Sequence, residues 1–146
     1  MISTEIKTPT VAVSWGELID KITILEIKKQ RLKSMEAVEN VCRELATLES
    51  VAQSAFVCRP ELASLSKNLR SLNETLWDIE DKIRAKEASR SFDQGFIDLA
   101  RSVYIKNDER GRIKRQINIL LNSELIEEKE YNSYSIEPAS FGFTRD

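Results

Sequence analysis

The sequence predicts an all-α protein, an antiparallel bundle of about four long helices with a short C-terminal helix and a short extended N-terminal arm. Two apolar stripes with spacings of three and four support this, because that spacing places residues on one side of a helix. The first stripe consists of Leu62, Leu65, Leu69, Leu72, Leu76, Ile79 and Ile83. The second consists of Phe96, Leu99, Val103, Lys106, Arg110, Ile113, Ile117 and Leu120. Charged residues make up 32% of the chain and glycines number only four, which is typical of a helix-rich protein.

The length of 146 residues fits a single domain with one core. We expect an extended arm over residues 1–13, a helical-bundle domain over 14–130 and an irregular tail over 131–146. Alternation in Val11-Ala12-Val13 predicts that the arm lies against the helices. The tail either folds back through its aromatic residues or stays loose, and the sequence leaves both alternatives open.

The first helix is predicted to run from Ser14 to about Lys33, because Ser14-Trp15-Gly16-Glu17 has the form of a capping box. Its apolar residues occupy more than one face, so it is either central to the bundle or shared with a second subunit. A strand is the alternative over residues 19–27, where several side chains are β-branched, but the cap and the length favour a helix. The apolar residues of this predicted helix are Leu18, Ile19, Ile22, Ile24, Leu25, Ile27 and Leu32.

The remaining helices follow from their caps and breaks. A turn near Ser34 starts the second helix, whose far end carries alanines that permit close packing. Pro60 suits the first turn of the third helix, which extends to about Glu87. Asp93 caps a fourth helix that reaches about Asn122, and Ser123 opens a short last helix through residue 130.

Two cations interrupt the second stripe and need partners. If the third and fourth helices form a hairpin with a turn near residue 91, Lys106 lies opposite Trp77 and Arg110 lies opposite Asn73. Glu80 is then the predicted counter-ion, and Trp77 offers a face for cation–π contact. An unpaired buried cation would cost several kcal/mol, so a dry interior requires such pairing.

Two interpretations of this cluster remain open. It either fixes the register of the bundle as a structural network or forms a pocket for a small anionic ligand. The pocket would gain a hydroxyl, an amide and positive charge from the fourth helix, and further charges from the first. The candidate binding residues are Asn73, Trp77, Glu80, Arg84, Tyr104, Lys106, Asn107, Arg110, Lys114, Asp20, Lys21 and Glu26.

Composition and missing residue types argue against several functions. The 22 basic and 24 acidic side chains are interleaved along the chain, so no large field of one sign is expected, which argues against nucleic acid as a partner. No segment has the length or composition of a membrane span or a signal peptide, so we expect a cytoplasmic protein. Histidine is absent, which excludes Ser-His and Cys-His nucleophiles. Cys42 and Cys58 lack the spacing of a zinc site and are expected to be reduced thiols, and we expect no metal and no cofactor.

Two enzyme classes remain as alternatives. A nucleotide pyrophosphohydrolase-like site would hold Mg²⁺ between carboxylates such as Glu17 and Asp20, but the linked acidic motifs of that class are missing. A chorismate-type mutase would use cations to orient a dicarboxylate. Residues 18–22 resemble its first helix faintly, while the required cations do not align.

Three segments together resemble an uncharacterised bacterial family of small proteins, a domain of unknown function. They are GELIDKITILEIK at 16–28, LWDIEDKIR at 76–84 and FIDLARSVYIKND at 96–108, and the resemblance covers about residues 11–134. It implies a single-domain bacterial protein and supplies no activity and no catalytic residues.

We therefore expect a protein-interaction or ligand-binding module rather than an enzyme. The expected partner is a second copy or another protein that binds through the helix over residues 14–33, and the alternative is a helical enzyme or binder acting on an anionic metabolite.

Overall fold

The computed structural model describes residues 4–130 and confirms the predicted all-α fold. Its four helices are α1 (Trp15–Arg31), α2 (Met35–Cys58), α3 (Leu62–Ala88) and α4 (Gln94–Leu120). Residues 4–130 contain no strand, so the strand alternative over 19–27 was wrong. The predicted tail over 131–146 lies outside the described residues.

Side-chain caps set where three of the helices begin. The Ser14 hydroxyl accepts the amide N–H of Glu17 at 3.2 Å, and the Ser34 hydroxyl accepts that of Ala37 at 3.4 Å. Asp93 Oδ1 accepts the N–H of Phe96 at 3.0 Å. Each cap satisfies a backbone donor that has no partner within its own helix, which is why these helices begin at the predicted positions.

The central helix of the bundle is α1, which packs against each of the other three helices. Ile19 and Ile27, two of its apolar residues, are 0% and 1% exposed. The protein's own helices bury them, so a second subunit is not needed to cover this face. The homodimer or partner contact through residues 14–33 stays a prediction.

The second helix packs mainly on α1, touches α3 slightly and does not pack on α4 within the described part of the chain. Its buried residues are Val41, Leu45, Ala52 and Ala55, which recur at helical spacing on one side of α2. Because only one side of α2 is covered, much of its surface remains open to solvent. No helix among residues 4–130 has both the length and the apolar character needed to cross a bilayer.

Two predictions for the ends of the described chain were wrong. Residues 4–13 have no regular structure and are exposed, with Val11 81% accessible, so this part of the arm does not lie against the helices. Residues 124–130 are not helical, so the predicted short helix after Ser123 is absent from this part of the chain. Asn122 adopts a left-handed conformation with φ of 50°, which ends the helical path after α4. The Ser123 hydroxyl accepts the amide N–H of Trp15 at 3.2 Å and donates to the carbonyl of Leu125 at 2.7 Å, so it does not cap a new helix.

Gly16 allows α1 to approach α4 closely. Its amide N–H donates to Asn118 Oδ1 at 2.6 Å. A Cβ atom at this position would collide with the carbonyl oxygen of Lys114 and lie 3.0 Å from Asn118 Oδ1. Any side chain at Gly16 would therefore push the two helices apart.

We predict that Gly16→Ala destabilises the protein by about 1–3 kcal/mol, because backbone must move to relieve the overlap. Gly111→Ala is the matched control, since an added Cβ there meets only the flexible end of Lys129 at 3.4 Å. The control should be stabilised by up to about 1 kcal/mol through higher helix propensity. Urea unfolding of both variants measures the difference, and equal stability of the two would contradict the close approach.

Candidate functional site

A buried carboxylate, Asp20, joins three helices. Its side chain is 1% exposed and lies in the middle of α1. Arg110 of α4 donates to it through both Nε, at 2.9 Å from Oδ1, and Nη2, which contacts Oδ2. Asn73 of α3 donates its amide to Oδ1 at 2.9 Å. The two-pronged guanidinium contact is the strongest arrangement of a charged hydrogen bond and fixes orientation as well as distance.

Thr23 completes the contacts one turn further along α1. Its hydroxyl donates to the backbone carbonyl of Asp20 at 2.7 Å and accepts a hydrogen bond from Asn73 Nδ2 at 2.9 Å. Within residues 4–130, every buried side-chain nitrogen and oxygen has a hydrogen-bond partner. The polar interior is therefore fully satisfied by the protein itself, which removes most of the cost of burying it.

Lys114 extends this arrangement towards the N-terminus of α1. Its side chain is only 10% exposed, and Nζ donates to Glu17 at 2.7 Å and to Glu127 at 3.0 Å. Nζ also lies 3.9 Å from Asp20 Oδ2. Glu127 belongs to the irregular segment 121–130, so this lysine ties that segment to the bundle. We call the resulting set the Asp20 network, which consists of Glu17, Asp20, Thr23, Asn73, Arg110, Lys114 and Glu127.

The pKa values of the network follow from these contacts. The hydrogen bond to Asp20 raises the pKa of Arg110, although burial opposes it. Burial acts to lower the pKa of Lys114, but the hydrogen bonds to Glu17 and Glu127 outweigh it and the pKa is raised. The hydrogen bond from Lys114 lowers the pKa of Glu127. The shifts of these three groups all favour their charged forms near neutral pH.

The prediction that Glu80 is the counter-ion was wrong. Glu80 is exposed, and Arg110 pairs with Asp20 of α1 instead. Lys106 pairs with Glu109 on its own helix at 3.2 Å. The prediction considered only the α3–α4 hairpin, whereas α1 crosses that hairpin and supplies the carboxylate. The hairpin register itself agrees with the structure, because Asn73 and Arg110 meet at the same oxygen of Asp20.

The other predicted residues lie in several places. Asn107 Oδ1 accepts a hydrogen bond from Arg110 Nη1 at 3.5 Å, and Lys21 pairs with Glu44 at 2.9 Å. The aromatic ring of Trp77 contacts Arg31, whose guanidinium carbon lies 5.8 Å from the ring centroid, rather than Lys106. Glu26 pairs with Arg70 at 2.8 Å. Tyr104 and Arg84 are exposed residues on α4 and α3.

Sequence reasoning missed Thr23, although a signal was present. A hydroxyl side chain three residues after Asp20 lies on the same side of a helix, in a run that is otherwise apolar. A polar residue in such a run has to find a partner once buried.

The charges of the network do not favour an anionic ligand. The carboxylates of Asp20, Glu17 and Glu127 already neutralise Arg110 and Lys114 and exceed them by one charge. An entering anion would have to displace one of these carboxylates. The pocket interpretation of the interrupted stripe therefore has less support than the structural one.

A groove between α1 and α2 lies on a different part of the surface. It encloses about 630 Å³ and is lined by both apolar and polar side chains. Ile22 and Ala52 are buried and form its floor, whereas Glu49 and Val57 are exposed at its rim. We call it the α1–α2 groove, lined by Ile22, Glu26, Ala46, Glu49, Ser50, Ala52, Gln53, Phe56 and Val57.

Comparison with known families gives a match over most of the chain. Residues 9–144 match the model of a family described as a family of unknown function (DUF6165). Comparison with curated proteins and with solved structures gave no match. The family comparison thus brings no activity, ligand or partner from another protein.

We predict that Asp20→Asn destabilises the protein by about 3–5 kcal/mol, because Arg110 then loses the counter-ion that compensates its partial burial. Glu109→Gln is the matched control, since it removes the partner of the half-exposed Lys106 and should change stability by no more than about 1 kcal/mol. Denaturant unfolding at neutral pH measures both. A loss below about 1 kcal/mol for Asp20→Asn would contradict a central role for the pair.

We also predict that Glu127→Gln removes part of the acid sensitivity of the fold. The pKa of Glu127 is lower in the folded protein than in the unfolded chain. Its charged form therefore stabilises the fold at pH values above its unfolded pKa, and this stabilisation is lost as the pH falls through its folded pKa. The stability difference between wild type and Glu127→Gln should therefore shrink from neutral pH to about pH 3. Unfolding curves at several pH values test this, with Glu128→Gln as control because Glu128 pairs with the exposed Arg115 rather than with Lys114. A difference that does not change with pH would exclude the Lys114 contact as its source.

Proposed function

The chain belongs to that family of unknown function, and we propose that it is a protein-interaction module that recognises a helical segment of a partner in the α1–α2 groove. The observation that carries this proposal is the groove itself, a concavity of about 630 Å³ with a buried apolar floor and a polar rim. Apolar floors with a few placed polar groups are typical of recognition sites.

The α2 wall of the groove fits a helix as its occupant. Ala46, Ser50, Gln53 and Val57 recur with spacings of four, three and four, so they share one side of α2 over about 16 Å. Small side chains at Ala46 and Ser50 leave room for another helix to approach. An amphipathic helix that places apolar residues in such a groove is a common mode of peptide recognition.

The Asp20 network supports this role by fixing the position of α1. Ile22 and Glu26, the α1 residues of the groove, follow Asp20 by two and six residues. Because Asp20 is held from α3 and α4, α1 presents these residues in one fixed register. A rigid surface binds at a lower entropic cost than a mobile one.

A designed peptide tests the proposal and does not require the natural partner. The probe is a peptide of about 18 residues with leucine at helical spacing and glutamine elsewhere, titrated into the isotope-labelled protein. We expect amide shifts to concentrate on the groove residues of α2. Ser50→Trp, which fills the groove, should abolish the shifts, and Ser54→Trp should retain them, because Ser54 is exposed on α2 outside the groove.

Two results would overturn the proposal. One is an absence of binding to the wild-type protein at millimolar peptide. The other is unchanged binding by Ser50→Trp, which would place the peptide elsewhere. A thermal midpoint close to that of wild type shows that either tryptophan variant is folded.

A further inference from the structure

We infer that the partner segment in the α1–α2 groove is a basic amphipathic helix, with a lysine or arginine that lies near Glu26 and Glu49. This inference rests on the proposed function and names the chemistry of the partner. Its basis is the distribution of charge in and around the groove.

Two carboxylates line the groove from opposite sides, Glu26 from α1 and Glu49 from α2. Arg70 pairs with Glu26 at 2.8 Å, but it also pairs with Glu74 at 3.2 Å. One arginine is therefore shared by two glutamates, while Glu49 adds a third negative charge. Lys29 also acts on Glu26 as a nearby positive charge, so the surroundings of the groove keep an excess of one negative charge that a cationic partner would neutralise.

The α2 helix as a whole carries a net negative charge. Residues Met35–Cys58 contain four glutamates and one arginine, an excess of three negative charges, whereas the entire chain has a net charge of only −2. Three of these glutamates lie before the groove residues 46–57, so the negative charge that α2 places at the groove is that of Glu49. Such a field attracts a basic segment and repels an acidic one before contact is made.

Burial and the nearby Glu49 raise the pKa of Glu26, although Arg70 acts in the opposite direction. The carboxylate of Glu26 is therefore less favourably solvated than one in water. A cationic side chain entering the groove would stabilise its charged form, which gives the partner's charge an energetic consequence.

The apolar part of the groove determines which other side chains the partner helix needs. Ile22 and Ala52 form a buried floor, and Phe56 is half-buried at one end. A partner helix would place leucine-like side chains against this floor and its basic residue towards Glu49. Apolar anchors and a cation on the same side of a helix require helical spacing of three or four between them.

Three peptides with the same leucine spacing separate this inference from the proposed function. Their remaining positions carry lysine, glutamine or glutamate. We expect the lysine peptide to bind wild-type protein about tenfold more tightly than the glutamine peptide, and the glutamate peptide to bind more weakly than either. Calorimetric titration measures the three dissociation constants.

Charge reversal in the groove provides the critical variant. Glu49→Lys should reverse the order, so that the glutamate peptide binds more tightly than the lysine peptide. Glu39→Lys is the matched control, since Glu39 is an exposed α2 residue outside the groove, and the lysine peptide should keep its rank with this variant.

The outcomes are distinguishable. If the three peptides bind equally and Ser50→Trp abolishes binding of each, the groove is a recognition site and the basic partner is excluded. If Glu39→Lys has the same effect as Glu49→Lys, the attraction comes from the whole protein and the local inference is wrong. If the protein self-associates and Ser50→Trp makes it monomeric, the occupant is a second copy, which also overturns the inference.

Discussion

The ion pair between Asp20 and Arg110 is the interaction on which the arrangement of the helices depends. A carboxylate that is 1% exposed is tolerated only where its charge is compensated, and here the compensation comes from a different helix. A shift of α1 by one turn along the hairpin would move Asp20 by about 5 Å. Such a shift would separate Asp20 from both Arg110 and Asn73 and leave a buried charge without a partner. The polar contacts therefore disfavour such a shift and favour the observed register.

The same helix links this interior to the surface proposed for recognition. One side of α1 is held by α3 and α4, and another side forms part of the groove with α2. The groove exists because α2 packs on α1 and not on α4, so part of its surface stays uncovered. If α2 packed against both α1 and α4, this space would be filled. The fold thus combines a fixed interior with an open surface.

Much of the fold could be predicted from the sequence, because caps and apolar spacing are local signals. Ser14, Ser34 and Asp93 marked helix starts that the structure contains. The counter-ion of Arg110 could not be predicted in the same way, since spacing within a helix does not tell how α1 crosses the other helices. The missing helix after Ser123 has a similar cause, because a contact with Trp15, far away in sequence, occupies its hydroxyl. The groove exists because α2 does not pack on α4, and the spacing of residues within a helix does not predict which helices pack together.

The N-terminus of α1 depends on residues made much later during synthesis. The amide groups of Trp15 and Gly16 donate to Ser123 and Asn118, which lie 108 and 102 residues further along the chain. On a ribosome, α1 would emerge with these donors facing water and with Asp20 lacking Arg110. The central helix can reach its final environment only after α4 has been synthesised, so the interior assembles through contacts between residues far apart in sequence. A chain that stops before residue 110 would contain α1 but lack Arg110, the counter-ion of Asp20.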